Sequence, residues 1–416
     1  MAAELIDRLV ELYNHPDFWL YAAIPLIAGI VGWATNWLAL KLSFYPVEPI
    51  GWPPFFGWQG VIPSKSFKMA NIFVENSLAK LGSTAEIFEA MEADKMRAHF
   101  IHQLMPRIND IIDDIMRESN RVLWENLPRL TRELVYARAR WQVPRIADGM
   151  MEEINERAEE LVDLNEMSIN LLSKDKTLLN HMFLECGKAE FDFVIKAGLY
   201  FGLVFGVIQM FAWIYYPHWW VLPFFGFLVG ATTNWIALNV IFRPLEPVKI
   251  GPFTFQGLFI KRQKQVSATF ARLSTREVLT IGNLMHNVLD GPNADKTKRI
   301  IRRHLRPAVD ATMTRVTAQV MMGPTAYAEM KDKLEERAMD LSAEIFDDKK
   351  FNEERAAHVA RMLYDRMAAM TPEEYQDLIR PAFKEDEWIL VAIGGVLGLL
   401  TGIGQLVFLF GQSLLS

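Results

Sequence analysis

The chain has 416 residues, 51% of them hydrophobic and 23% charged, with a formal net charge of −6 at pH 7. Lysine and arginine alternate with acids through the polar stretches, so there is no basic face for nucleic acid and that partner is discounted. A single cysteine, Cys186, rules out an intramolecular disulfide and fits a reducing compartment.

Residues 1–17 lack the positive start and small-residue cleavage site of a secretory signal. Leu5, Ile6, Leu9, Val10, Leu12 and Tyr13 recur at helical spacing between charged residues. The tail therefore reads either as an amphipathic helix on the membrane surface or as a frayed end. A membrane-crossing helix needs about 20 mostly apolar residues. Residues 18–44, 193–216, 219–242 and 388–410 meet that length, the middle two forming a hairpin around Pro217 and His218. Trp19, Trp213, Tyr215, Tyr216, Trp219, Trp220 and Trp388 lie near the expected span ends, where aromatic rings favour the wet interface.

Between the spans lie residues 45–192 and 243–387. Each opens with an apolar, proline-rich stretch too short to cross, expected as an interfacial or re-entrant loop that contacts lipid or is buried against the domain. The remainder reads as helix, with apolar positions every three or four residues and opposed charges between them. Thr371-Pro372-Glu373-Glu374 has the pattern of a capped helix start. The fold class expected is an all-α membrane protein with four transmembrane helices and two large helical cytoplasmic domains. Orientation follows from Lys41, Lys65, Lys68, Lys188, Lys196, Arg243, Lys249, Lys261, Arg262, Lys264, Arg380 and Lys384 on the domain side, against Arg8 on the other. The expected location is a bacterial inner membrane, with both termini on the periplasmic side.

Shifting the chain by 198 residues matches Pro25, Val31, Gly32, Thr35, Asn36, Trp37, Ala39, Leu40, Phe44, Pro46, Glu48 and Pro49 with Pro223, Val229, Gly230, Thr233, Asn234, Trp235, Ala237, Leu238, Phe242, Pro244, Glu246 and Pro247. Gln59-Gly60 and Gln256-Gly257 continue the match after a one-residue slip. A shift of 196 pairs Gly198, Gly202, Leu203, Gly206 and Gln209 with Gly394, Gly398, Leu399, Gly402 and Gln405. Ala93-Asp94-Lys95 and Pro106 match Ala294-Asp295-Lys296 and Pro307. Each copy holds an even number of spans, so the expectation is two parallel tandem repeats about an axis along the membrane normal.

The runs GWATNWLALKLSFYPVEPIG with QGVIP, GATTNWIALNVIFRPLEPVKIG with QGLFI, and EDEWILVAIGGVLGLLTGIGQ resemble the bacterial membrane proteins of domain-of-unknown-function family 445, which includes YheB and YjiN. The resemblance covers nearly the whole chain. It implies a helical bacterial membrane protein with no activity or active site to carry over. One departure is that Ile260-Lys261 stand where the first copy has the Pro63 of QGVIP.

The candidate intramembrane polar site comprises Thr35, Asn36, Thr233, Asn234, Gln209 and Gln405. Helix rise puts the asparagines about 7 Å on the domain side of the midplane and the glutamines about 6–8 Å beyond it. An amide in hydrocarbon needs a partner, so these groups face inward, either lining a path or bonding helices together. Neither rung holds a carboxylate, which argues against proton coupling. Gly32, Gly230, Gly198, Gly202, Gly206, Gly394, Gly398 and Gly402 have the four-residue spacing of close helix packing, with gating as the alternative. At the membrane exit, the prolines end their helices. Glu48 is expected to pair with Lys65, and Glu246 with Lys261 or Arg262, near Gln59 and Gln256.

No HExxH, phosphate-binding loop, nucleophile elbow or dinucleotide fingerprint occurs, and His99 with His102 is an isolated pair without further ligands. The expectation is no enzyme, no cofactor and no metal. The chain reads as a handler or transporter of a lipid or small solute within a pseudo-symmetric membrane core. The alternative is a membrane-anchored scaffold whose domains organise cytoplasmic proteins. Glycine faces unused within one chain would permit a homo-oligomer.

Overall fold

The computed structural model describes residues 18–52, 56–312, 322–384 and 387–414. The tail of residues 1–17, with its expected surface helix, lies outside the described residues. In chain order the principal elements are α1 (Phe18–Phe44), β1 (Ile50–Trp52), β2 (Phe56–Trp58), α2 (Ala93–Leu104), α3 (Ile108–Asn126), α4 (Arg129–Glu156), α5 (Lys188–Tyr215), α6 (Val221–Phe242), β3 (Val248–Ile250), β4 (Phe253–Phe255), α7 (Ala294–Thr312), α8 (Pro324–Phe346), α9 (Lys349–Ala369) and α10 (Glu387–Leu414). Shorter helices fill the intervals.

The chain divides into two compact units. The described residues up to Asn76, Leu172–Val266 and those from Ala369 onward form a membrane unit, and Ser77–Leu171 with Ser267–Ala368 form a helical unit. The two polar stretches were expected as separate domains, whereas their helices share one unit. The reason lies in the apolar stripes. Ile111, Ile115, Met116, Trp124 and Tyr136 pack in one cluster with Met322, Tyr327, Met330 and Leu341. Each stretch is amphipathic, and each covers the other's apolar face. Trp124 is fully buried, and its indole Nε1 donates to Asp113 Oδ1 at 3.0 Å. The Tyr136 hydroxyl donates to the same oxygen. Asn120 interrupts α3 with an extended backbone, and its Oδ1 accepts from Leu123 N at 3.0 Å to restart the helix.

In the membrane unit, α1, α5, α6 and α10 are long and apolar enough to cross a bilayer. Within a bilayer only a helix or closed barrel satisfies its own backbone polar groups, so uninterrupted apolar runs of this length fold as helices. α5 begins at Lys188, upstream of the apolar run, because the helix extends below the membrane-crossing stretch. Trp19, Tyr215, Tyr216, Trp219, Trp220 and Trp388 are exposed near helix ends, as expected for interfacial rings. Trp213 is a correction: it is 4% exposed and packs with Ile24, Val221 and Leu222. Its place on the inward face of α5 outweighs its nearness to the helix end.

The proline-rich stretches after α1 and α6 are antiparallel β-hairpins, β1 with β2 and β3 with β4, an addition to the all-α expectation. Gly251 (φ 60°) adopts the left-handed backbone in the turn between β3 and β4, and Gly51 has a positive φ (105°) within β1, opposite Gly57. Ile50, Trp58, Val248 and Phe255 are exposed on the hairpins. The predicted cap forms: Glu374 N donates to Thr371 Oγ1 at 3.3 Å, and Thr371 N donates to Glu374 Oε2 at 2.9 Å.

Candidate intramembrane site

The Thr-Asn-Trp run turns its side chains in two directions. Thr35 and Asn36 are buried at 6% and 1% exposure while Trp37 faces outward at 43%. Helical geometry makes this split unavoidable, since adjacent residues lie about 100° apart. Asn36 Nδ2 donates to Val194 O of α5 at 2.7 Å, and Asn234 Nδ2 donates to Leu390 O of α10 at 2.8 Å. The asparagines therefore tie α1 to α5 and α6 to α10. They do not line an open path. Thr35 and Thr233 donate back to Gly32 O and Gly230 O of their own helices, each at 3.2 Å.

Glycine allows the two pairs to close this far. A Cβ on Gly32 would stand 2.3 Å from Gly198 O, and one on Gly230 would stand 2.2 Å from Gly394 O. Further along, Gly202 would meet Ala28 O at 2.5 Å and Gly206 would meet Pro25 Cα at 2.7 Å. In the other pair, Gly398 would meet Gly226 O at 2.1 Å and Gly402 would meet Leu222 O at 2.3 Å. Backbone lies against backbone along both interfaces, as in small-xxx-small packing. All eight glycines predicted for packing lie against a neighbouring helix of the same chain.

The glutamines act differently. Gln209 and Gln405, 1% and 6% exposed, lie on α5 and α10, and Gln209 Nε2 donates to Gln405 Oε1 at 3.1 Å. This is a bond between the two helix pairs. Beside it lies a void of about 20 Å³ lined by Thr35, Gln209, Gly230, Thr401 and Gln405 among others. That is room for about one water molecule. The two amide rungs predicted together are thus separate devices, one locking each pair and one bridging between them.

At the membrane exit, Gln59 Nε2 donates to Val47 O at 2.7 Å and Gln256 Nε2 to Leu245 O at 3.0 Å. Gly60 N donates to Pro46 O and Gly257 N to Pro244 O, at 2.9 and 2.8 Å. Both elbows carry a cis proline, Tyr45–Pro46 and Arg243–Pro244. The glutamines bind main chain across each elbow, a role that needs only an amide at that distance. Helices Val61–Ser64 and Leu258–Lys261 follow at matching points, so the departure at Pro63 leaves local structure unchanged.

The expected ion pairs are corrected. Glu48 binds Lys176 at 3.1 Å, and the remote helix Lys176–Cys186 also supplies Asn180, whose Nδ2 donates to Phe44 O at 2.6 Å. Glu246 is exposed and makes no ion pair among the described residues. Arg262 instead pairs with Glu190 at 2.8 Å, and Glu190 is fully buried near the start of α5. Sequence reading passed over Glu190. Two carboxylates, Glu190 and Asp192, stand just ahead of the apolar run; the one that turns inward needs a cation, and the other is exposed.

Groups of three or more His, Cys, Asp or Glu able to hold a metal are absent among the described residues. His99 is partly buried and stacks on Phe351 with ring centroids 3.9 Å apart, while His102 is exposed.

Along nearly its whole length the chain is similar to a UPF0754 membrane protein of Nostoc sp., 21% identical over 444 positions covering 96% of this chain and 98% of that protein. A stretch of 59 residues is 42% identical to a UPF0754 membrane protein of Exiguobacterium sibiricum, covering 13% of this chain and 15% of that one. No family model matches, and no solved structure does. Four apolar helices and likeness to uncharacterised membrane proteins make this a predominantly helical membrane protein.

Proposed function

We propose that the membrane unit is a pair of parallel tandem repeats that handles a lipid headgroup or small polar solute, without enzymatic chemistry, by opening the seam between two rigid helix pairs. The repeats would sit in a bacterial inner membrane with the helical unit in the cytoplasm and both termini outside. The observation that carries the reading is the buried bond from Gln209 to Gln405. Within each pair, backbone packs on backbone at the glycines, which leaves the seam between the pairs as the place for a polar group. Between the pairs the contact is made partly by two amides, next to Thr35, Thr401 and a void. Amides can exchange each other for a passing polar group at low net cost, since one hydrogen bond replaces another.

The test uses liposomes containing the Cys186→Ser protein with Gln209→Cys and Gln405→Cys. Loss of fluorescence from a headgroup-labelled phospholipid to an external reductant reads lipid exchange, and swelling reads passage of small neutral solutes. Protein-dependent movement in the reduced state that stops on oxidation supports the seam. Equal movement in both states, or movement by the parent protein no faster than in protein-free liposomes for every probe, rejects it.

A second reading, a scaffold that organises cytoplasmic proteins, draws support from the small size of the void. A seam with room for one water is also what an inert anchor would show.

A further inference from the structure

The helical unit contains a larger and chemically different space. Helices α2, α3, α4, α7 and α8 surround a void of about 160 Å³, or about 1090 Å³ with its open mouth included. Folded cores are packed as densely as organic crystals, with few voids larger than a water molecule. Here Ala139, Ala308 and Ala338, on three different helices, face the space where longer aliphatic side chains would fill it. The remaining lining is aliphatic, aromatic or methionine, apart from Gln142, Arg337 and Ser342. Ser342 Oγ donates to Ala338 O at 2.6 Å, so its proton is already engaged. A closed apolar cavity of about 150 Å³ in an engineered protein stays dry and takes up benzene, so the apolar inner part of this space favours a hydrocarbon occupant over water.

Two polar groups remain at the lining. Arg337 is exposed and has no ion pair or hydrogen bond among the described residues, and the Gln142 amide is half-buried and equally unengaged. An apolar interior with one unpaired cation and one amide matches an amphiphile with a single hydrocarbon chain and an anionic head. The inner void is too small for two chains, and a single chain would fill it and run on through the open mouth. The membrane helices of the same polypeptide lie in a reservoir of such molecules.

We infer that the helical unit binds a fatty acid, its acyl chain in the void between α3, α4, α7 and α8 and its carboxylate at Arg337 with Gln142. This site is independent of the intramembrane seam.

The full-length protein in nanodiscs is photolabelled with a fatty acid carrying a terminal diazirine, and the labelled residues are mapped by mass spectrometry. Label is expected on Ile112, Met116, Leu334 or Leu341, and excess unlabelled myristate should displace it. Ala139→Phe and Ala338→Phe, which fill the void, should each reduce that label at least tenfold while helical content is retained. Arg337→Glu, at an exposed position, should weaken capture of the acid about tenfold and leave capture of the matching diazirine-bearing fatty alcohol unchanged. Label confined to the membrane helices overturns the proposal, as does undiminished label in the filled variants. Should those variants misfold, equal effects of Arg337→Glu on acid and alcohol overturn it. A diacyl phospholipid probe that labels the same residues as efficiently would overturn the assignment to a single-chain acid.

Discussion

Replacing Gly198 by alanine puts the close packing of α1 on α5 to a direct test. The added Cβ would lie 2.3 Å from Gly32 O and 2.6 Å from Asn36 Nδ2. Carbon contacts settle near 3.5–4.0 Å, so the helices must separate by about 1 Å. A separation of that size forfeits about a quarter to a half of each contact's attraction of ~0.1–0.2 kcal/mol. Over some tens of contacts the loss is about 1.5–3 kcal/mol. The bond from Asn36 to Val194 O stretches with it, adding about 0.6 kcal/mol at the average value for membrane hydrogen bonds. Gly198→Ala should therefore destabilise by ~2–4 kcal/mol. Gly394→Ala should match it, since its Cβ would stand 2.2 Å from Asn234 Nδ2. Gly404 has nothing within 4 Å of its would-be Cβ, so Gly404→Ala should be neutral or stabilising by helix propensity, at most about 1 kcal/mol. The assay is reversible unfolding in bicelles. All three variants falling within about 0.5 kcal/mol of the parent would refute the packing argument.

Gln209→Leu alone strands the Gln405 amide and should cost about 1–3 kcal/mol, whereas the double variant Gln209→Leu/Gln405→Leu should recover much of that loss, a non-additivity read by the same unfolding assay. Glu190→Gln leaves Arg262 without its anion at the base of α5; with Arg262 about a third exposed, a loss of about 1–3 kcal/mol is expected, and no loss would remove the pair from the account. In the helical unit, hydrogen bonds from Arg366 at 2.6 and 2.9 Å, with one from Ser83 N, hold the Glu86 carboxyl at about 2 against an ordinary 4.5. The folded value lies below the unfolded one, so this stabilisation is present above about pH 4.5 and is lost as pH falls towards 2. Glu86→Gln should flatten the acid limb of a stability-against-pH curve within that window, and an unchanged limb would contradict it.

The membrane spans and the inward-facing amides were legible because hydrocarbon imposes rules that act residue by residue. A run of about 20 apolar residues must be helical, and an amide within it must find a partner. Self-alignment marked Asn36 with Asn234 and Gln209 with Gln405 as equivalent, but identical chemistry concealed different geometry. Each asparagine meets a neighbouring helix backbone, while the glutamines meet each other. Which helix faces which is a tertiary fact that spacing does not carry. For the same reason the sharing of one unit by the two polar stretches was not visible. The β-hairpins after Pro49 and Pro247 were hidden by prolines and by strands of three residues, too short for alternation to register. Glu48 and Arg262 found partners distant in sequence where nearer ones had been expected. The void in the helical unit had no sequence signature, because Ala139, Ala308 and Ala338 look like ordinary helix formers until their helices are set side by side.

The central claim, two rigid helix pairs moving at the glutamine seam, is tested most directly by electron spin resonance distances in nanodiscs. In the Cys186→Ser background, one label pair is placed within a helix pair, at Leu26 and Val204, and another across the seam, at Val204 and Val396; all three positions face outward. A narrow distribution within the pair, with a broad or two-peaked one across the seam that narrows when Gln209→Cys and Gln405→Cys, added in a separately labelled sample, are cross-linked, is the predicted result. Equally narrow distributions for both label pairs, indifferent to the cross-link, would contradict it.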